Sequence, residues 1–299
     1  MGVLKDENIF MFLYAQKLTT IFQKLTISLL LLTSLQAASS DTITLGITGV
    51  ALKENISTLI KFKNYLIKTT GLNIKIKFAR SYSTMRHLIL DNDVDVAYIC
   101  GATYVDLLPS NKIKLLALPT VDNKPYYYSL VIARRGTKYK TIDNFKDKIY
   151  AMSDPESNSG SLVPRYEIDK RGYKDDNFFK RVVYTYDHGE SVNAVLYGFA
   201  KGASVDSVVY KAFLKNRPKQ KKRLRIVEKF GPFPIPPFVI RKDVPQAIQD
   251  KLQKSLINMD KDKNAKHILD DMAIGSFIKP DNFSYEKIKK IKLFLNSKK

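Results

Sequence analysis

The thirteen residues Ser153-Asp-Pro-Glu-Ser-Asn-Ser-Gly-Ser-Leu-Val-Pro-Arg165 constrain this chain more than any others. Tyr150-Ala151-Met152 before them read as the end of a strand, and Leu162 to Lys170 after them as a helix closed by Arg171-Gly172. A strand that passes through a short polar loop into a helix is the connection of an α/β sheet. Ser157, Asn158, Ser159 and Ser161 supply hydroxyls and an amide, and Gly160 leaves backbone room. Free N–H groups at a helix start attract anions, and Pro164 suits a first turn. The same cluster also describes an ordinary polar N-cap. The local pattern leaves both readings open.

The rest of the chain repeats the βα alternation. Thr42 to Thr48 and Ile74 to Phe78 alternate as strands around a helix whose apolar face runs from Ile56 to Ile67 and ends at Gly71. Ser83 is expected to cap a helix through Asp91. Val94 to Ile99 reads as a buried strand, Thr103 to Leu108 as a short helix, and Lys112 to Pro119 as another strand. A second α/β unit follows the tyrosine run 126–128, with strands expected at 148–152, 182–186 and 204–205 and helices at 191–199 and 206–215. Gly231 to Pro237, with four prolines in seven residues, reads as a stiff connection into a strand at 238–240. Three helices complete the chain.

This order predicts an α/β, two-lobed fold with two crossings between the lobes, one tyrosine-rich and one proline-rich. Residues 39–127 with 238–299 are expected as one lobe and 128–237 as the other. Ligand sites in such sheets lie at the carboxyl ends of the strands, in the cleft. The 153–165 segment belongs there.

Residues 17 to 38 carry a leader pattern: Lys17 and Lys24, an apolar core Ile27 to Leu35, and small residues at Ala37-Ala38. The core is shorter than the roughly 20 apolar residues a bilayer span needs. Residues 1–38 are therefore expected to be a cleaved signal, with Met1 or Met11 as the start. The mature chain keeps a charge near +20 of the total +21. Such charge suits anionic solutes, a membrane surface or nucleic acid, and export argues against the last. Residues 215 to 225 alone hold seven positive charges. A single cysteine, Cys100, and three separated histidines give no internal disulfide and no metal-ligand spacing. No cofactor is expected.

Four segments, in order, resemble the phosphate/phosphite/phosphonate branch of ABC-transporter substrate-binding proteins. They are Asp95-Val-Ala-Tyr-Ile-Cys-Gly101-Ala-Thr-Tyr104-Val, Tyr128-Ser-Leu-Val-Ile-Ala-Arg134, Ile142 through Arg165, and His188-Gly-Glu-Ser-Val-Asn-Ala-Val-Leu196. The third is the most specific. The resemblance implies a periplasmic, non-enzymatic receptor, monomeric, that captures a small phosphorus oxyanion by lobe closure and delivers it to an ABC permease. It implies donors to the anion at Ser157, Asn158, Ser159, Tyr82 (in Arg80-Ser-Tyr82-Ser), Tyr104 and His188. Asp206 is the nearest acidic candidate for a ligand amine, or simply a helix cap. The 233–238 loop has no carboxylate, where the family's aminoalkylphosphonate receptors carry one. Asn158 replaces a usual Thr, Ala102 a usual Pro, and Lys201 a usual Asp. Phosphate, phosphite or a small alkyl phosphonate is the expected ligand. Two other readings stay open: a sensor subunit on the same fold, and a hydrolase built on Ser159, His188 and Asp187.

Overall fold

The computed structural model describes residues 42–49, 56–174 and 177–298. The expected signal segment, residues 1–38, lies outside them. The fold is mixed α/β in two lobes, each built on its own sheet.

The first sheet contains β1 (Thr42–Ile47), β2 (Asn73–Phe78), β3 (Val96–Tyr98), β4 (Ile113–Pro119), β10 (Phe238–Arg241) and β11 (Phe277–Ile278). Their order is β11-β4-β10-β3-β1-β2. β1 pairs parallel with β2 and β3, with Leu45 opposite both Ile76 and Val96. β10 returns antiparallel between β3 and β4. Helices α1 (Ile56–Thr70), α2 (Tyr82–Leu90) and α3 (Gly101–Leu107) are the crossovers. Parallel strands need such crossovers, because a tight turn cannot reverse the chain twice. Phe62 of α1, Phe238 and Phe277 meet with ring centroids 5.5 to 6.4 Å apart and close this core.

The second sheet contains β5 (Tyr126–Arg134), β6 (Ile149–Met152), β7 (Arg181–Tyr184), β8 (Gly202–Asp206) and β9 (Leu224–Pro234), in the order β7-β6-β8-β5-β9. α4 (Val163–Lys170), α5 (His188–Leu196) and α6 (Ser207–Asn216) link its strands. Tyr150 stacks on Phe179 at 4.3 Å and meets Phe145 at 5.3 Å in its core. The chain ends in α7 (Gln246–Ile257), α8 (Lys266–Asp271) and α9 (Glu286–Asn296).

The proline-rich crossing corrects the sequence reading. Gly231 to Pro234 continues β9, with Pro234 opposite Tyr126 and Phe233 opposite Tyr127. β9 is an edge strand, where a missing N–H is harmless if it faces outward. Pro232 does face outward, since its carbonyl accepts from Lys287 Nζ at 2.8 Å, and Pro234 shares its parity. The two crossings thus hydrogen-bond to each other as one ribbon.

Two helix starts also shift. Ser81, not Ser83, caps α2: its hydroxyl accepts the Thr84 N–H at 3.0 Å. α5 begins at His188 rather than Ser191, because Asp187 caps it through the Glu190 N–H.

Candidate anion-binding site

Helices α2, α3, α5 and α6 begin directly after strands β2, β3, β7 and β8, and the turn at 158–162 after β6. Helix starts present N–H groups and positive dipole ends, so the cleft between the lobes is lined by donors. The 153–165 segment is more ordered than a loop. Asn158 to Leu162 form a single wide helical turn that runs directly into α4. Ser157 caps it, its hydroxyl accepting the Gly160 N–H at 3.1 Å. Ser157, Asn158, Ser159, Gly160 and Ser161 are all buried.

Cross-lobe contacts hold this turn against the first lobe. The Asn158 N–H donates to Cys100 Sγ at 3.3 Å. The Tyr82 N–H donates to Asp154 Oδ2 at 3.0 Å. Arg86 reaches Glu156 at 2.9 Å, and the Arg80 guanidinium lies 5.4 Å from the Tyr186 ring centre. These contacts join the two lobes.

Buried polar atoms are nearly always paired, yet several here have no protein partner. They are the hydroxyls of Thr48, Tyr82 and Thr103 and the Oδ1 end of the Asn158 amide. Thr48 follows β1, Tyr82 opens α2, Thr103 lies in the first turn of α3, and Asn158 opens the wide turn. Each unmet group costs on the order of 1–3 kcal/mol. The other end of the Asn158 amide donates to Tyr127 OH at 2.8 Å. The two ends of an amide are exchangeable by rotation, so the free end can donate as readily as accept.

His188 is fully buried, and burial lowers its pKa to about 3. It is neutral near pH 7. Its Nδ1 accepts the Asp206 N–H at 3.2 Å, which places the proton on Nε2. Nε2 faces the hydroxyls of Ser153 and Ser157 at 3.4 and 3.5 Å. This tautomer opposes the hydrolase reading, because a Ser–His–Asp relay needs Nδ1 to donate to the carboxylate.

Asp206 is buried, and burial raises its pKa to about 7 although two backbone N–H bonds oppose the shift. Its Oδ1 caps α6 through Val208 and Val209 at 2.6 and 3.2 Å. Its charge opposes ionisation of Tyr82, Tyr98, Tyr127 and Cys100. Burial likewise pushes the Cys100 thiol up to about 11, which keeps it an inert SH.

Six of the seven sequence-predicted residues, Tyr82, Ser157, Asn158, Ser159, His188 and Asp206, therefore lie around one buried spot. Tyr104 stands apart: it is half-buried and packs edge-on against Tyr285 at 4.7 Å. Among the described residues no hydrogen bond ties its hydroxyl to the others. Thr48, Thr103 and Tyr127 were not singled out as binding groups by sequence. Thr48 resembled a strand residue, and Tyr127 was one of three tyrosines with nothing to distinguish its face.

Two lobes joined by a two-stranded ribbon, with helix starts and unpaired donors between them, define a periplasmic-binding-protein fold. A family model described as "ABC transporter, phosphonate, periplasmic substrate-binding protein" matches residues 51–285, and the chain belongs to that family. It is 22% identical over 255 residues to the phosphonates-binding periplasmic protein of Escherichia coli K12, covering 83% of this chain and 75% of that one. Two solved structures share the fold. A binding protein component of a Pseudomonas aeruginosa ABC phosphonate transporter superposes with a TM-score of 0.79 at 22% identity, covering 86% of this chain and 87% of that one. A Prochlorococcus marinus protein in complex with methylphosphonate superposes at 0.75 with 20% identity, covering 86% and 99%.

Proposed function

We propose that this chain is the periplasmic receptor of an ABC phosphonate importer and captures a small phosphonate by lobe closure. The observation that carries the reading is the set of unpartnered donors from both lobes at Thr48, Tyr82, Thr103 and Asn158. A tetrahedral oxyanion presents several oxygens, each accepting two or three hydrogen bonds. The hydroxyls of Ser157 and Ser159, the Ser159 backbone N–H and His188 Nε2–H complete the donor set, the Ser157 N–H being held by the Asp154 carbonyl at 3.0 Å. All of these donors are neutral. Asp206 is the acceptor, sharing one proton with the ligand. The moving bodies are residues 39–127 with 238–299, and 128–237. Residues 1–38 are the export signal, the receptor acts as a monomer, and a permease reads its closed form.

A phosphonate is favoured over phosphate or phosphite by family membership, and by the relative whose complex holds methylphosphonate. The hinge segment Phe233 to Phe238 carries no carboxylate, so an unsubstituted alkyl group suits the site better than an amine. Thermal unfolding with methylphosphonate, aminoethylphosphonate, phosphate, phosphite and sulfate tests this. A ligand at 100-fold excess over its Kd stabilises by about 2.7 kcal/mol. The largest shift is expected with methylphosphonate. Absence of a shift with any phosphorus oxyanion removes the reading.

Ser159→Ala is expected to weaken methylphosphonate binding by about 1–3 kcal/mol, the range for a lost hydrogen bond to a charged group. Calorimetric titration measures it, and unchanged affinity would take Ser159 out of the site. Closure also relies on the chain Lys292–Asp106–Arg86–Glu156, with contacts of 2.7, 3.4 and 2.9 Å. These side chains are partly exposed, so solvent screens each pair to roughly 0–1 kcal/mol. Arg86→Ala removes two of the three. It is expected to lower affinity about two- to fivefold without changing thermal stability by more than about 1 kcal/mol. A loss beyond twentyfold would mean that Arg86 touches the ligand.

A further inference from the structure

The far end of the second lobe carries a feature that anion capture does not use. β5 leaves the cleft at Ser129, opposite Asp206, and ends five residues later at Arg134, roughly 16 Å away at strand rise. There the turn after α5 holds Tyr197 and Phe199 at the surface, 62% and 76% exposed. Gly198 between them has φ +83°, a conformation that turns the chain tightly and sets both rings outward. Arg134 Nη1 would lie 3.5 Å from a Cβ at Gly198, so a guanidinium sits directly beside the aromatic turn.

The cations converge from three separate stretches. Arg134 pairs across the sheet with Leu224, the Arg135 N–H donates to the Arg223 carbonyl at 2.8 Å, and Arg223 Nη2 donates to the Leu196 carbonyl at 3.4 Å. The end of the basic run, Arg223 to Arg225, is therefore folded onto this pole. Arg134, Arg135, Thr137, Tyr139 and Lys201 line a cavity of about 370 Å³ beside Gly198. Among the described residues no carboxylate lies within ion-pair distance of Arg134, Arg135 or Lys201. Unneutralised cations around a small cavity, next to protruding aromatic rings, match a lipid surface. Arginine forks bind phosphate in two-point fashion, and Tyr and Phe partition into the headgroup boundary.

We propose that this pole docks on an anionic lipid bilayer, with Tyr197 and Phe199 in the interface and Arg134, Arg135 and Lys201 on headgroup phosphates. Charge complementarity decides the occupant. The patch is uniformly positive, and the attraction to an anionic leaflet reaches every cation within a Debye length of about 8 Å. The inference does not rest on the phosphonate reading, and its test uses no phosphonate.

The test is co-sedimentation of the full chain with vesicles of 30% phosphatidylglycerol in phosphatidylcholine, against pure phosphatidylcholine, at 50 and 500 mM salt. Three variants are compared with wild type. Tyr197→Ser/Phe199→Ser removes the rings. Arg134→Gln/Arg135→Gln/Lys201→Gln removes the cations. Lys61→Gln/Lys68→Gln/Lys75→Gln removes the same charge from the other lobe. All change surface side chains, and circular dichroism checks their folding. Wild type is expected to prefer the anionic vesicles at 50 mM salt and to lose that preference at 500 mM. The patch cation variant is expected to partition about a hundredfold more weakly, the ring variant at least fivefold more weakly, and the control within threefold of wild type. Three results overturn the proposal: equal partition into both vesicle types, patch variants that match wild type, and a control that loses as much as the patch variant. Release by millimolar inorganic phosphate at constant ionic strength also overturns it, because the cavity would then be a free-anion pocket.

Discussion

Gly160→Ala is expected to weaken methylphosphonate binding at least a hundredfold and to cost the fold about 1–3 kcal/mol. A Cβ at Gly160 would stand 2.1 Å from Ser153 Oγ, 3.0 Å from Ser157 Oγ and 3.2 Å from His188 Cε1. The backbone there takes no glycine-only conformation, so space alone is at issue. None of the three neighbours can retreat freely. Ser157 Oγ is the cap acceptor for the Gly160 N–H. The His188 ring is pinned by the Asp206 N–H. Ser153 is buried, with its hydroxyl 3.4 Å from His188 Nε2. The added methyl must therefore push the wide turn, and with it Ser157, Asn158 and Ser159, away from the opposite lobe. A displacement of even about 1 Å misaligns donors whose strength depends on distance and angle. Titration calorimetry with methylphosphonate reads the first effect and denaturant unfolding the second. Wild-type affinity in this variant would separate the Ser157–Ser159 turn from ligand binding. A variant that fails to fold would leave the milder Ser159→Ala to decide.

Much of this architecture can be read from the chain, and the misses have physical causes. Ile74 to Phe78 alternates so regularly that only a half-buried strand satisfies it, and it pairs with β1 over its whole length. Elements whose signal is local propensity alone fared worse. β11 has two residues, too few for any period. The proline run looked like a break because proline usually ends a strand, but at an edge the missing N–H is free to face outward. Among the candidate site residues, Ser157 to Ser159 could be picked out through the resemblance of the 142–165 segment, since the Ser/Asn/Gly cluster alone reads equally as a polar N-cap. Thr48 and Thr103 could not, since threonine at a strand end or in a short helix serves packing just as often. Asp206 shows that two readings need not exclude each other. It caps α6 with one oxygen and is still a buried carboxyl whose charge opposes ionisation of Tyr82, Tyr98 and Tyr127. No sequence pattern could report its altered acidity, which comes from burial produced by the whole fold.

That altered acidity gives the second large effect. Asp206 titrates near 7 in the folded chain and near its ordinary value of 3.8 when unfolded. A raised pKa means that the folded state holds a proton the unfolded state has lost. The contribution is fully present below about pH 4 and is lost as pH rises through 7. At 1.36 kcal/mol per unit the loss is about 4 kcal/mol. His188 runs the other way. Its pKa falls from 6.5 to about 3 on folding, so its contribution is present above pH 6.5 and is lost as pH falls toward 3. Between about pH 4 and 6.5 the two slopes oppose and largely cancel. Asp206→Asn keeps the cap, because asparagine accepts the same N–H bonds, and leaves the histidine slope unopposed. Relative to wild type, this variant is expected to gain about 4 kcal/mol in stability between pH 4 and pH 7, measured by denaturant unfolding across that range. Parallel stability curves would show that Asp206 is not protonated near neutrality. In the proposed function the same residue also takes part in ligand capture. Below pH 7 the carboxyl and the phosphonate share a proton; above it both are anionic in a dry cleft, where repulsion is poorly screened. Wild-type affinity for methylphosphonate should therefore fall more steeply than that of Asp206→Asn as pH rises from 6 to 8.5. Comparing the two proteins at each pH cancels the ligand's own ionisation, so a constant ratio of affinities would place Asp206 outside the anion's reach.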